Sequence, residues 1–244
     1  MKVIAIASLK GGVGKTTTTI FLSQIIASKG KRVLTIDMDG QGSLTDYFLR
    51  KEPVEKILES NSYHLLTERK SIDETIFKQL PTFVDTIPGS PQLHNLSVEM
   101  AGDPTALLRF PKEIRSTEYD YVFIDCPPAN CYELRAGLFG ADEIIIPVSL
   151  DRWGFQGLYL LDSLVKRFSK SLDHPPKIKI LPVLVTQKEA EKIQGDLKSK
   201  GFEIFDTIIS RNTQVRTATS SGKPLKIESK SFMEFESLAK EVLI

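Results

Sequence analysis

The chain has 244 residues, 41% hydrophobic and 26% charged, enough to bury one substantial core and to fold as a single domain over residues 1–244. Its formal net charge of +1 excludes a uniformly basic nucleic-acid-binding chain, yet residues 1–150 carry 16 Lys/Arg against 19 Asp/Glu and residues 151–244 carry 16 against 12. Two cysteines exclude a disulfide framework, and no apolar run nears the roughly 20 residues that span a bilayer.

In chain order, the first element is the apolar run Val3–Ala7, which predicts a strand. It is followed by Lys10-Gly11-Gly12-Val13-Gly14-Lys15-Thr16-Thr17 and a helical pattern over Thr16–Ser28. A glycine-rich turn from strand to helix lets backbone N–H groups approach a polyphosphate without Cβ interference, and the helix N-terminus adds positive partial charge. Gly11, Gly12, Val13, Gly14, Lys15, Thr16 and Thr17 are therefore a candidate ATP cradle, with Lys15 on the phosphates and the Thr16 hydroxyl on Mg²⁺. The usual pattern G-x-x-x-x-G-K-[ST] would place glycine at position 9; Leu9 stands there, and Lys10 adds a second cation. With strand and loop opening the sequence, no signal peptide is expected, and the expected location is cytoplasmic.

The next predicted strand, Val33–Ile36, ends in Asp37-Met38-Asp39-Gly40-Gln41-Gly42. Residues 41–118 are broken by Pro53, Pro81, Pro88, Pro91, Pro104 and Pro111 into short helical pieces and one strand near Phe83–Ile87. Strand Tyr121–Ile124 ends in Asp125-Cys126-Pro127-Pro128, where Asp125 is placed to organise Mg²⁺ and its waters. Helix Cys131–Phe139, strand Ile144–Val148, helix Gly154–Phe168, strand Ile178–Val185 and helix Glu189–Lys200 follow. Continuous apolar strands alternating with helices predict a doubly wound α/β fold: a mainly parallel sheet flanked by helices, with its site at the C-terminal strand ends. Cys126 and Cys131 lack the His or Cys partners of a zinc site and read as reduced thiols. Arg211, Arg216, Lys223, Lys226 and Lys230, against Glu228 alone and interleaved with Ser, Thr and Asn, form a candidate surface for the phosphates of nonspecific DNA. Lys166, Arg167, Lys170, Lys188 and Lys192 would extend it.

Residues 10–17 resemble the deviant Walker A loop of the ParA/MinD superfamily of P-loop NTPases. Residues 37–42 resemble its D-x-D-P-Q-G switch, with Gly40 where the family usually has proline, and residues 125–128 resemble its D-x-P-P switch. Ile146-Pro147-Val148, Gln156-Gly157-Leu158, Ile209-Ser210-Arg211-Asn212 and Gly222-Lys223-Pro224 carry the likeness across nearly the whole chain, most weakly over 41–118. The chain thus resembles a ParA/Soj-type partition ATPase. The resemblance implies that Lys10 reaches across a dimer to the partner's nucleotide, that Asp39 positions the attacking water with Asp37 behind it, and that Thr186 lies near the base. Asp151 stands at a position usually held by Glu. The resemblance further implies an ATP-driven homodimer, nonspecific DNA, a centromere-binding, ParB-like adaptor that stimulates hydrolysis, and a nucleoid-associated protein with no membrane. The alternatives are a positioning ATPase for a protein cargo and a MinD-like membrane-associated ATPase; the latter needs a basic amphipathic C-terminal helix, whereas Ser231–Ile244 carries Glu234, Glu236 and Glu241 against Lys240.

Overall fold

Successive residues of a strand face opposite sides of a sheet, so a strand buried on both sides must be apolar throughout. The first strand meets that demand: Val3, Ala5 and Ala7 join one hydrophobic core and Ile4 and Ile6 the other, all fully buried. The computed structural model describes residues 1–79, 83–103, 106–149, 151–170, 172 and 174–243, with the side chains of Ala106, Arg152 and Trp153 left aside; Pro81 and Pro104 lie outside the described residues.

From the N-terminus the elements are β1 (Lys2–Ile6), α1 (Lys15–Ser28), β2 (Val33–Asp37), then the short helices α2 (Ser43–Leu49), α3 (Val54–Glu59), α4 (Ser62–Leu66) and α5 (Ile72–Thr75). Strand β3 (Val84–Ile87), a 3-10 turn (Pro91–Asn95), α6 (Leu96–Glu99), α7 (Arg109–Arg115), β4 (Tyr121–Asp125), α8 (Tyr132–Gly140) and β5 (Glu143–Val148) follow. The chain continues with α9 (Arg152–Ser169), β6 (Lys177–Pro182), α10 (Gln187–Lys198), β7 (Glu203–Ile204), α11 (Thr213–Ser221) and α12 (Lys230–Val242). Among the described residues, seven strands form one sheet in the order β3-β2-β4-β1-β5-β6-β7, every ladder parallel. The predicted doubly wound α/β architecture is the observed one.

Helices α1, α2 and α12 cover one face, where Phe21, Tyr47 and Phe235 pack with Ile4, Ile6 and Phe123. Helices α7 to α10 cover the other through Ile114, Leu134, Leu161 and Ile193. Strand β6 stops earlier than the apolar run predicts, because Leu184 takes a left-handed backbone (φ 58°) that ends the extended conformation. Residues 213–221, within the stretch read as a basic surface and given no element from sequence, are helical: the Asn212 side chain accepts from the Gln214 N–H and Gly222 closes the other end at φ 64°.

Candidate functional site

Strand β1 lies mid-sheet between β4 and β5, and its C-terminal end opens into the glycine loop. There Gly12 (φ 72°) and Gly14 (φ 83°) adopt left-handed conformations, and an added Cβ at Gly11, Gly12 or Gly14 would meet nothing within 4 Å. The loop is thus an open concavity of backbone, with Gly14 starting α1 without a side-chain cap and so leaving the first N–H groups of that helix to an anion. Lys15 is only 7% exposed. Its ammonium donates to the Lys10 carbonyl at 3.3 Å, and burial lowers its pKa against the pull of Asp125 and Asp39.

The Thr16 hydroxyl donates to Asp125 Oδ2 at 2.6 Å, and that of Thr19 to Asp125 Oδ1 at 3.4 Å. Thr16, which lines the cavity, and Asp125, buried directly behind it, thus bring two oxygens together, a donor set that suits Mg²⁺, which takes few protein ligands and keeps its waters. Burial, with Asp37 beside it in the β2–β4 register, pushes the Asp125 carboxyl up to about 8. Asp37 is fully buried and raised to about 6 by that burial. Its oxygens accept from the Thr45 N–H (2.9 Å), the Thr45 hydroxyl (2.7 Å) and the Asp39 N–H (3.0 Å), so it fastens the start of α2 to the strand end. Asp39 is half-buried, faces the same cavity as the cradle, and accepts the Gln41 N–H at 3.0 Å.

That cavity, about 550 Å³, is walled by residues 11–18, Asp39 and Pro128 on one side and by Ser210, Asn212, Arg216, Thr219 and Phe235 on the other. Lys10 is not part of its lining. The Lys10 ammonium is held instead by Asp151, which caps α9, and by the Ser149 hydroxyl at 3.2 Å. The Lys10 ammonium and the Ser149 hydroxyl hold the Asp151 carboxyl down at about 2. Thr186 also lies outside the lining. Its hydroxyl and N–H are taken by Glu189 in a capping box at the start of α10, while Ser210 and Asn212 line the cavity.

The basic residues read as one patch separate. Arg216 enters the cradle cavity, Arg211 lies near Glu189, and Lys223 and Lys226 line a shallow depression of about 300 Å³ on another side of α11. All four are exposed, and among the described residues none has a carboxylate within ion-pair distance, whereas Lys230 pairs with Glu234 and Lys166 with Asp162. Cys126 is fully buried, and burial raises its thiol well above the ordinary range; burial pushes Cys131 up to about 12, so both are inert thiols. Sequence reasoning missed Ser210, Asn212 and Arg216 as cavity walls, although Ile209-Ser210-Arg211-Asn212 was a visible signal.

A glycine cradle at the end of a central parallel strand, a buried lysine beginning the helix, and acids closing two neighbouring strands define a P-loop nucleotide-binding protein. A family model described as an AAA domain matches residues 1–180. The chain is 32% identical to the sporulation initiation inhibitor protein Soj of Bacillus subtilis, over 99% of this chain and 98% of that protein. It is 31% identical to the chromosome-partitioning ATPase Soj of Thermus thermophilus, over 91% and 86%. Among solved structures, a plasmid partition protein of Borrelia burgdorferi bound to AMPPNP is similar, with a TM-score of 0.84 and 29% identity over 99% and 98% of the two chains. Cyanothece McdA shares the fold, with a TM-score of 0.87 at 24% identity over the whole of both chains. The chain belongs to the ParA/Soj family of ATPases.

Proposed function

We propose that this protein is a DNA-partition ATPase: ATP binding closes a homodimer, the dimer holds DNA nonspecifically near the nucleoid, and a ParB-like, centromere-binding adaptor triggers the hydrolysis that resets it. The observation that carries this reading is the position of Lys10. Its ammonium is turned away from its own cavity, while residues 11–18 line it, so a charge at this loop serves a nucleotide best from across an interface.

In this reading the cradle amides and Lys15 bind the phosphates, Thr16 and Asp125 hold Mg²⁺, and Ser210 and Asn212 face the nucleoside. Bound Mg²⁺ would neutralise charge on the phosphates. Asp39, at the cavity edge, positions the attacking water and accepts its proton. Arg211, Lys223 and Lys226 supply DNA phosphate contacts, and Arg216 serves the cavity instead. A membrane role is disfavoured by α12, whose Phe235, Leu238 and Val242 are buried in the core and whose Glu234 accepts from Ser210. No helix among the described residues is long and apolar enough to cross a membrane.

Sedimentation with ATP tests the reading. Lys15→Ala should lose nucleotide binding, whereas Lys10→Ala should keep nucleotide yet stay monomeric. A Lys10→Ala protein that dimerises as the wild type does would remove the trans role, and an ATP-loaded wild type that ignores duplex DNA would favour cargo positioning without DNA.

A further inference from the structure

The loop that carries Asp39 is fastened on several sides. Asp37 holds its first turn, the Ser62 hydroxyl donates to the Asp37 carbonyl at 2.7 Å, and the Gly42 N–H donates to the Asp39 carbonyl at 2.9 Å. From behind, the backbone at Gly89 packs so closely that an added Cβ would lie 2.8 Å from the Asp39 carbonyl oxygen and 2.9 Å from Asp37 Cγ. Gly40 is the exception. Among the described residues its N–H donates to nothing, and its backbone is not in the left-handed region, so conformation alone does not demand glycine there.

Space does. A Cβ on Gly40 would stand 2.8 Å from both Cε1 and Nε2 of His94 and 3.2 Å from its Nδ1. The imidazole therefore lies over the peptide at residue 40 and fills the volume that a side chain there would take. It is mounted on a short, stiff support: the 3-10 turn begins at Pro91, the Leu93 N–H donates to the Ser90 carbonyl at 3.1 Å, and Leu93 and Leu96 are buried on either side.

We propose that His94 is a positioning residue for hydrolysis: its ring, laid against Gly40, restrains from outside a loop that a side chain at position 40 would otherwise stiffen from within, and so fixes Asp39 over the cavity. His94 is outside the cavity lining and touches no substrate. Its effect therefore runs through the loop. A proline at 40 would fix φ in the chain itself, and the unused N–H makes proline compatible with the loop's hydrogen bonding. The two devices are alternatives, since an exposed imidazole that turns aside to admit a pyrrolidine ring no longer covers the loop. The inference rests on Asp39 as the water-positioning acid.

Steady-state ATP turnover of the full chain tests it, with affinity for a fluorescent ATP analogue and thermal melting measured on the same samples. His94→Ala should lower kcat about tenfold by loosening the acid's placement, with KM, analogue affinity and melting unchanged. His94→Phe, which keeps a flat ring, should stay near the wild type. Gly40→Pro alone should be slow, and Gly40→Pro with His94→Ala should recover most of the rate. Wild-type kcat in His94→Ala, a His94→Phe protein as slow as His94→Ala, or a double variant no faster than His94→Ala overturns the proposal. Asp39→Ala runs beside them: if it alone turns ATP over normally, the failure lies with the role given to Asp39.

Discussion

Lys10 and Asp151 are a pair of charges that neutralise each other within one chain, each side chain about one-third exposed at 30% and 35%. Solvent screens such a pair, so its contribution to folding should be only about 0.5 kcal/mol despite the depressed Asp151 carboxyl. The sign is fixed by linkage. A carboxyl whose folded pKa is about 2, below its ordinary 3.8, adds stability above 3.8 and loses it as pH falls through 2. Asp151→Asn keeps an acceptor for the Gly154 N–H and removes only the charge, since Asn is as good an N-cap as Asp. Urea unfolding should therefore place Asp151→Asn below the wild type at pH 6, with the gap closing below pH 4; a gap that is the same at pH 6 and pH 3 would mean the charge is irrelevant. This contact was not legible in the sequence, because it joins residues 141 apart. The cradle was legible because its spacing is entirely local.

At the level of elements, glycines separate helices that pack from helices that only cover. Gly137 of α8 sits on β4, where an added Cβ would be 2.9 Å from the buried Cys126 Sγ and 3.1 Å from Ile124 Cγ2. Gly195 of α10 is exposed and faces nothing within 4 Å. Gly137→Ala should destabilise by about 1–3 kcal/mol through overpacking, less the helix propensity it gains, whereas Gly195→Ala should stabilise by up to about 1 kcal/mol. Urea midpoints read both, and equal effects at the two sites would refute the packing argument. The strands β1, β2, β4 and β5 were readable because burial on both faces demands unbroken β-branched runs. Two elements were hidden for opposite reasons. Strand β7 is two residues long, too short for any periodicity, and α11 is written in Thr, Ser and Ala, which suggest a loop until its end signals, Asn212 and Gly222, are weighed. The capping box of Thr186 was legible too, since Glu189 stands three residues on.

For the whole molecule, what matters is which cations meet which anion. Each DNA phosphate contact releases counterions, so losing one should flatten the slope of log affinity against log salt by about 0.9, and by roughly twice that in a symmetric dimer. Arg211→Ala and Lys223→Ala should do this with every duplex sequence alike, while Arg216→Ala should weaken ATP binding in the absence of DNA. If Arg216→Ala leaves ATP affinity intact and flattens the salt slope, the patch read from sequence was one surface after all. The arrangement of the sheet carries a further implication, for synthesis. Strand β1 leaves the ribosome well before its ladder partners β4 and β5, more than a hundred residues later in the chain, and the cavity wall is completed only by residues 209–235. The glycine loop is therefore made long before it can become a site, and ATP can lend no stability to the nascent domain until residues 209–235 have emerged.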